Sequence, residues 1–424
     1  GRLSARRFST HSATRKTVEQ LWKETPLYDR HVLVRADLNV QQSLAESGAI
    51  QLRTTDRLDA FLPTLQFLTE RGAKCVVCSH LGRPKGPEPA ASLRGVARYL
   101  ERHSGARVRA LGDCIGSETR RSIMSMTAGE VAVMENLRFH PGEKKNDDDF
   151  AHDLATTSCA SIYVNDAFGA AHRAHASIVG VTRWMNHSVA GMLMSRELKM
   201  LDSVLDAPSP SAAIVGGAKA STKLPLFESL VHKVDHIFVG GAMAFTFAHA
   251  LGLRTGHSLI EEPFLAQVRD LMRATDPPRR AKIHLPADVV VAASASVSEV
   301  KDKIKAFTVP IDKHPDDMMG LDIGPQTLTA WGEVLRQCKS VVWNGPLGLF
   351  EQEPFATGTV HMAELLADLA AEGVTVVAGG GETVAAIKRL PGSAKFTHIS
   401  TGGGAMLEYL EGSVLPGVAV LDAA

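Results

Sequence analysis

Short apolar segments alternate with helix-like segments along nearly the whole chain, and this alternation limits the possible folds more than any other feature. Apolar runs at 31–35 and 75–78 are typical of buried strands, whereas residues 57–71 and 92–104 have the apolar spacing of helices. Such alternation predicts parallel sheets with helices on both faces. Further strands are predicted at 131–134, 162–164, 212–215, 236–239, 283–285, 341–343, 374–378 and 396–399. Because these strands are too many for one compact sheet, the sequence predicts two doubly wound α/β domains.

The best candidate for a domain boundary lies near residues 185–211. Apolar residues recur at helical spacing over 191–205, and a segment containing Pro and Ser follows at 206–211. The halves on either side also differ in the residues that follow their strands. Basic side chains follow the strands of the first half, and glycine clusters follow those of the second.

Composition and hydropathy exclude several classes of protein. The chain has 46 Lys and Arg residues against 46 Asp and Glu residues, which argues against a protein that binds nucleic acid through bulk charge. The longest apolar run, 237–253, contains Gly240 and Gly241 and is shorter than the ~20 residues of a membrane-spanning helix. It predicts a buried strand, a glycine turn and a buried helix instead. Five cysteines, few and odd in number, argue against a disulfide framework and favour a reducing compartment.

The N-terminal segment 1–16 is basic. Five Lys and Arg residues lie there among Ser and Thr residues, and no acidic residue precedes Glu19. This composition is typical of an organelle transit peptide, and it is equally typical of a disordered basic tail or linker. Both interpretations stay open, so we expect a cytoplasmic protein or, as the alternative, one directed to the mitochondrion or another organelle.

Polar and basic residues follow four predicted strands of the first half, at the strand ends where open α/β sheets bind ligands. A lone arginine at such a position usually belongs to a surface salt bridge, but recurrence at consecutive strand ends favours a shared anionic ligand. Guanidinium groups bind carboxylate and phosphate bidentately, so the pattern predicts a site for a small phosphorylated carboxylate. The residues are Asp37, Asn39, His80, Arg83, Arg138, Asp166 and Arg173, with Arg57 at the start of the next helix.

Glycine clusters join strands to helices in the second half, at 216–219, 379–383 and 401–404. Glycine lets phosphate approach the backbone, and the start of a helix supplies free N–H groups. One cluster is often only a tight turn. Three at equivalent positions, with Lys219 and Lys223 beside the first, predict a polyphosphate site. No Walker A pattern and no well-placed dinucleotide fingerprint occurs, so a nicotinamide dehydrogenase is a distant alternative.

From about Thr17 to its C-terminus the chain resembles the phosphoglycerate kinase family. The resemblance rests on many ordered motifs, which makes it specific. They are VRADLNV at 34–40, SHLGRP at 79–84, ENLRFH at 135–140, YVNDAFG at 163–169, GGAK at 216–219, GLDIGP at 320–325, WNGP at 343–346 and STGGGA at 400–405.

The resemblance implies two Rossmann-like domains joined by a hinge helix. The implied domains are a basic extension at 1–16, a glycerate-binding domain at 17–188 with the tail 406–424 packed on it, and a hinge helix with the nucleotide-binding domain at 189–405. The implied reaction is reversible transfer of the acyl phosphate of 1,3-bisphosphoglycerate to Mg-ADP, giving 3-phosphoglycerate and ATP in glycolysis or gluconeogenesis. These small molecules are the expected partners of a monomer that spans no membrane and binds no nucleic acid.

The resemblance also implies a role for individual residues. The glycerate substrate would be held by Asp37, Asn39, Arg57, His80, Arg83, Arg138 and Arg173. The nucleotide would be held by Lys219, Lys223, Gly320, Asn344, Glu351, Gly380, Gly381, Glu382 and Thr383, and Mg²⁺ by Glu382. The transferring phosphoryl group would be contacted by Arg57, Lys219, Gly380 and Gly403.

The chain departs from the family pattern in its nucleotide loops. Glu382 replaces the usual Asp of the metal loop, and Thr222 replaces the Asp of the first glycine loop. Gln41 and Leu38 replace the usual Pro and Phe near the first strand, whereas every substrate cation is retained. These departures leave an alternative to the enzyme, namely a non-catalytic family member that serves as a structural or tethered subunit.

Overall fold

The computed structural model describes residues 15–45, 50–273, 281–293, 305–390 and 395–424, and residues 1–14 of the predicted basic extension lie outside this range. The chain divides into two compact units. The first consists of the residues up to Lys199 together with Val414–Ala424, and the second is Met200–Ser413.

The first unit is built on a six-stranded parallel sheet. The strands are nearly continuous apolar runs because helices cover both faces. They are β1 (His31–Ala36), β4 (Lys74–Cys78), β5 (Val108–Ala110), β6 (Val131–Val133), β7 (Ile162–Asp166) and β8 (His187–Ala190). Their order across the sheet is β5-β6-β4-β1-β7-β8. A separate antiparallel hairpin is formed by β2 (Gln42–Leu44) and β3 (Ile50–Leu52).

Helices enclose this sheet and complete its core. Val32 and Val34 of β1 belong to the same apolar cluster as Leu58, Phe61 and Leu65 of the second helix. The helices are α1 (Val18–Glu24), α2 (Asp56–Glu70), α3 (Arg94–Ser104), α4 (Ser117–Met124), α5 (Gly142–Lys145), α6 (Asp148–Ser158) and the C-terminal α15 (Pro416–Ala419). The helix α7 (Met192–Leu205) contains the division between the two units.

The second unit contains another six-stranded parallel sheet. Fully buried Trp343 lies in its core with Ile214, Trp331 and Leu366. The strands are β9 (Ser211–Val215), β10 (His236–Val239), β11 (Lys282–His284), β15 (Ser340–Asn344), β16 (Thr375–Gly379) and β17 (His398–Ser400). Their order is β11-β10-β9-β15-β16-β17. The helices are α8 (Leu224–Leu230), α9 (Met243–Ala250), α10 (Leu265–Arg273), α11 (Pro325–Leu335), α12 (Thr357–Ala371), α13 (Gly381–Ile387) and α14 (Gly404–Leu410).

A small antiparallel sheet accompanies the parallel sheet of the second unit. It consists of β12 (Asp288–Ala293) between β13 (Phe307–Pro310) and β14 (Met318–Ile323). The sequence analysis did not predict these strands. β13 and β14 are partly exposed and contain Thr308, Gly320 and Asp322, so they lack a continuous apolar run. β12 has such a run at 289–293, which the sequence analysis overlooked.

The predicted fold class, two doubly wound parallel sheets, is confirmed, and every predicted strand is present to within a few residues. The edge strands β5 and β8 were not predicted, because neither is a continuous apolar run: Arg109 interrupts β5, and β8 begins with His187 and Ser188. The run at 237–253 forms β10, a glycine turn and α9 as expected. Among the described residues no helix combines the length and the hydropathy that crossing a membrane would require.

The predicted boundaries differ from this division of the chain in three places. The first half of α7 belongs to the first unit, so the unit ends at Lys199 and not at residue 188. Residues 406–413 belong to the second unit, where Ser229 of α8 donates to the carbonyl oxygen of Leu410 (2.8 Å). Within the predicted extension, Arg15 pairs with Ala423 and the Lys16 amide donates to the carbonyl oxygen of Asp422. Pairing with the C-terminal residues Asp422 and Ala423 therefore fixes the backbone of Arg15 and Lys16.

Candidate active site

The seven residues that the resemblance assigns to the glycerate substrate line one cavity of about 270 Å³ in the first unit. Neighbouring strands end at one edge of the sheet, so residues distant in sequence converge there. Asp37 and Asn39 follow β1, His80 and Arg83 follow β4, Arg138 lies in the 3-10 turn Leu137–Phe139, Arg173 follows the 3-10 turn Phe168–Ala170, and Arg57 begins α2.

Arg57 is held against the loop that follows β1. Its Nη1 donates to Oδ1 of Asp37 (3.0 Å) and to the carbonyl oxygen of Asn39 (3.2 Å), and it lies 3.0 Å from Oδ2 of the same aspartate. These bonds use a single nitrogen. None of the described residues accepts from the other guanidinium nitrogens, so they can donate to a ligand in the cavity.

Gly82 connects the loops that follow the adjacent strands β1, β4 and β6. Its amide donates to Oδ1 of Asn39 (2.8 Å), and its carbonyl oxygen accepts from Nη1 of Arg138 (2.5 Å). The left-handed backbone of Gly82 (φ 62°) allows both groups to point toward their partners. The positions of Asn39 and Arg138 are therefore coupled through backbone atoms.

His80 is a neutral donor whose tautomer is set by an arginine beneath it. Arg35 is fully buried, and its Nη2 lies 3.1 Å from Nδ1 of His80. An arginine can only donate, so Nδ1 must accept and the ring proton is on Nε2. Burial, followed by the charges of Arg35 and the other cations around the cavity, holds the pKa of His80 well below its usual value. The imidazole thus offers one N–H group to the cavity and no positive charge.

Arg35 is itself anchored by a buried acid through a hydroxyl. Its Nε donates to Oγ of Ser177 (2.9 Å), which donates to Oε1 of Glu143 (2.7 Å). The Ser177 amide donates to Oε2 of Glu143 (2.9 Å), so both oxygens of this fully buried carboxylate accept hydrogen bonds. Sequence reasoning missed this network. Its one visible signal is Arg35, a charged residue inside an apolar strand.

Two histidines that were not predicted also line the cavity, His172 and His175. His175 lies 3.6 Å from Oε1 of Glu143, yet burial and the surrounding cations lower its pKa to about 4. Burial also lowers the pKa of Arg138, and the like charges of Arg35 and Arg83 lower it further. Mutually repelling cations around a small cavity favour an anionic ligand, which would relieve the repulsion.

Asp166, the remaining polar residue at a strand end, has a structural role. Its Oδ1 accepts from the amides of Leu193 (2.9 Å) and Met194 (3.1 Å), the first turn of α7. It does not line the cavity. Burial raises its pKa to about 6, against the effect of these hydrogen bonds. A carboxylate at a helix start is favourable because it satisfies otherwise unpaired amides.

Glycine turns of the second unit follow four adjacent strands, β9, β15, β16 and β17. A Cβ atom at Gly216 would lie 2.2 Å from the carbonyl oxygen of Pro346, so only glycine fits where the two turns meet. Gly345 and Gly380 have φ angles of 94° and 99°, which L-residues rarely adopt. The turns are therefore fixed in conformations that glycine adopts without strain, at the edge of the sheet where these strands end.

Asn344 joins these turns at the end of β15. Its Nδ2 donates to the carbonyl oxygen of Gly379 (2.8 Å), and its Oδ1 accepts from Nζ of Lys223. Oγ1 of buried Thr383 accepts from the amide of Gly345 (2.7 Å). Burial lowers the pKa of Lys223, with Glu382 and Glu411 opposing this effect. The structure thus brings together Lys223, Asn344, Gly380 and Thr383 among the predicted nucleotide residues.

The other predicted nucleotide residues are placed differently. Lys219, Glu351, Gly381 and Glu382 are exposed, and Gly403 immediately precedes α14 with a φ angle of 50°. Gly320 lies in β14, where the ring of Phe245 occupies the space of a side chain, 1.9 Å from an ideal Cβ position. Packing against Phe245 is a sufficient reason for glycine at this position.

Glu382 is the one carboxylate predicted to bind metal. It lies in the first turn of α13, exposed and electrostatically coupled to Lys223. Mg²⁺ is commonly bound by one or two carboxylates together with substrate phosphates and water, so a single exposed carboxylate among glycine turns fits it. Within the described residues, the one cluster of three ligand-type side chains is Asp113, Cys114 and His140 in the first unit, and it does not include Glu382.

The comparisons with known proteins agree with the motifs. The family model of phosphoglycerate kinase matches residues 22–413. The cytosolic phosphoglycerate kinase of Triticum aestivum is 46% identical over 413 residues, 97% of this chain and 100% of the relative. The chloroplastic phosphoglycerate kinase of Volvox carteri is 44% identical over 97% of this chain and 87% of the relative. The solved structure of phosphoglycerate kinase from Coxiella burnetii is similar with a TM-score of 0.82 and 33% identity, over 94% of this chain and 97% of that one.

Proposed function

The chain belongs to the phosphoglycerate kinase family, and we propose that the cation-lined cavity of the first unit and the glycine turns of the second are its glycerate and nucleotide sites. As a family member it is a kinase with a carboxyl group as phosphoryl acceptor, reversibly converting 1,3-bisphosphoglycerate and ADP to 3-phosphoglycerate and ATP. The comparisons offer no support for the alternative of a non-catalytic structural subunit.

One observation carries the assignment of the glycerate site. Four arginines and a neutral imidazole donor surround a cavity of about 270 Å³ that also contains one carboxylate, Asp37. Phosphate and carboxylate groups suit the arginines, and the substrate hydroxyl can donate to Asp37 or Asn39. A small phosphorylated hydroxy acid satisfies all of these groups at once, whereas a purely anionic ligand would leave the acceptors unused.

The proposed chemistry depends on position and charge. Phosphoryl transfer needs little covalent help from the protein, and both the acyl carboxylate and the ADP oxygen are ionised at neutral pH. Arg57, with free guanidinium nitrogens, and exposed Lys219 would neutralise charge on the transferring group. The amides at Gly380 and Gly403 would add neutral donors to the same group.

We assign the nucleotide to the second unit, at the edge where β9, β15, β16 and β17 end. Lys223 and Asn344, already hydrogen-bonded to each other, would face its phosphates, with Gly381 and Thr383 at the start of α13. Exposed Glu351 would accept from the ribose hydroxyls, and Gly320 would border the nucleotide. Glu382 would hold Mg²⁺, which when bound neutralises phosphate charge.

We further propose that each unit binds one substrate and that α7 is the hinge. Because the phosphoryl group passes directly between substrates, the bound substrates must meet during turnover.

We propose a monomer that binds no nucleic acid. Relatives are named both cytosolic and chloroplastic. We therefore propose the cytoplasm, with an organelle as the alternative if residues 1–16 direct transport.

A coupled assay of ATP formation from 1,3-bisphosphoglycerate and ADP tests the proposal. Arg57→Ala should lower kcat/KM by about 100-fold or more, because a donor to a transferring charge acts mainly in the transition state. Arg53→Ala is the matched control, since Arg53 is exposed and bonds to Ser43 outside the cavity (3.1 Å). Circular dichroism would show that both variants are folded. Absence of turnover in the wild-type chain would refute the function, whereas equal activity of both variants would refute the assignment of Arg57.

A further inference from the structure

A cluster of three different metal-ligand side chains lies beyond the carboxyl ends of β5 and β6. Asp113 and Cys114 follow β5, and His140 follows the 3-10 turn after β6. One ligand atom of each residue lies within 4.8 Å of those of the other two. The mechanism proposed above uses none of these residues, and within the described residues their surroundings share no lining residue with the glycerate cavity.

The backbone holds the two loops together at this point. The amide of Leu111 donates to the carbonyl oxygen of Val133 (2.8 Å), and the amide of Glu135 donates to that of Asp113 (3.4 Å). The His140 ring stacks on Phe150, with ring centroids 5.3 Å apart and an interplanar angle of 24°. The two loops are thus joined, and the ring of His140 is restrained, before any cation binds.

Asp113 is the centre of the cluster. Its Oδ1 lies 2.7 Å from Nε2 of His140 and accepts from the amide of Cys114 (2.6 Å). Cys114 is fully buried beside this carboxylate. As the sulfur–metal bond forms, a divalent cation would displace the thiol proton into solvent.

We propose that Asp113, Cys114 and His140 form a binding site for a thiophilic divalent cation of the Zn²⁺ class. A thiolate and a carboxylate together carry two negative charges, which balance one divalent cation, and the imidazole adds a neutral ligand. Sulfur and nitrogen ligands select zinc-like ions over Mg²⁺, which prefers oxygen. The site is therefore distinct in chemistry from the Mg²⁺ position proposed at Glu382.

The fourth coordination position is open to a large groove. Asp113 and His140 line a cavity of about 950 Å³, whereas Cys114 is fully buried behind them. Three protein ligands with one position left to water or a small ligand are the usual arrangement at open zinc sites. The cation can enter from the groove, and it would join the loop after β5 to the loop that carries Arg138.

Titration of the full chain with Co²⁺ in a thiol-free reductant tests the site. We expect one Co²⁺ per chain and a thiolate-to-cobalt charge-transfer band in the near ultraviolet, which added Zn²⁺ abolishes. Cys114→Ala should abolish the band. His140→Gln and Asp113→Asn, at partly or fully exposed positions, should weaken Co²⁺ binding by at least about tenfold, the effect expected of a lost ligand.

Cys159→Ser is the matched control, because Cys159 is the half-buried cysteine of the first unit and could bind cobalt adventitiously. It should leave the band unchanged. Absence of the band in the wild-type chain, or its loss in Cys159→Ser with retention in Cys114→Ala, would overturn the proposal. If Cys114→Ala does not fold, unchanged Co²⁺ affinity in both His140→Gln and Asp113→Asn would overturn it equally.

Discussion

Substitution of His80 tests the deduction that Arg35 sets the tautomer of the substrate-facing imidazole. In Gln the terminal amide nitrogen can occupy the position of Nε2, whereas in Asn the amide lies at the level of Nδ1. His80→Gln should therefore retain a donor that reaches the cavity. His80→Asn can still accept from Arg35 but loses the distal donor. We expect the Gln variant to bind 3-phosphoglycerate more tightly than the Asn variant.

The magnitude follows from the contacts of His80. A hydrogen bond to a charged group is worth about 1.5–3 kcal/mol, so loss of the Nε2 donor should weaken 3-phosphoglycerate binding by about 10- to 150-fold. Protonation of the ring cannot compensate. Nδ1 lies 3.1 Å from a guanidinium nitrogen, and two unit charges about 4 Å apart repel by about 4 kcal/mol at an effective dielectric constant of about 20.

Two measurements check this reasoning. Calorimetric titration with 3-phosphoglycerate gives the affinities. Their ratio between wild type and variants should stay constant from about pH 6 to about pH 8, because burial and the neighbouring cations hold the pKa of His80 well below its usual value. Long-range ¹H–¹⁵N correlation spectra report the tautomer directly. A proton on Nδ1, an imidazolium at neutral pH, or tighter binding by His80→Asn than by His80→Gln would refute the deduction.

Three further predictions concern metal, backbone and pH. Glu382→Asp should preserve or modestly improve turnover, whereas Glu382→Ala should reduce it and shift the dependence of turnover on Mg²⁺ concentration. An unshifted Mg²⁺ dependence in the alanine variant would mean that Glu382 only caps α13. Calorimetry should show a larger loss of ADP affinity in Gly380→Ala than in Gly373→Ala. Both glycines have φ near 98°, but only at Gly380 would an added Cβ lie 2.8 Å from Nδ2 of Asn344. Equal losses of affinity would contradict this. His175 has a pKa of about 4 against 6.5 when unfolded, so its stabilising contribution is complete above pH 6.5 and is lost as pH falls towards 4. Urea midpoints should therefore fall less between about pH 7 and about pH 5 in His175→Gln than in wild type, and parallel curves would count against it.

Much of the fold and part of the site follow from local sequence pattern. A strand buried on both faces must be largely apolar, so the runs that became β1, β4, β7 and β15 were visible without a structure. Parallel strands also end at a shared edge, and this rule alone predicted that cations such as Arg83 and Arg138 would converge. The short edge strands β5 and β8 and the partly exposed strands β13 and β14 carried no such pattern, and the apolar run of β12 was overlooked.

Only the tertiary structure decided how the converging residues act on one another. Arg35 and Glu143 are joined through Ser177, across separations of 142 and 34 residues, and no local pattern encodes such a pairing. The tautomer of His80 depends on that network, since it follows from the one nitrogen that Arg35 can reach. Cys114 and His140 are likewise brought together only by packing, because no sequence pattern links them. Local pattern determines which segments are buried and where they end, whereas the contacts that set proton positions and ligand clusters arise only when distant segments pack together.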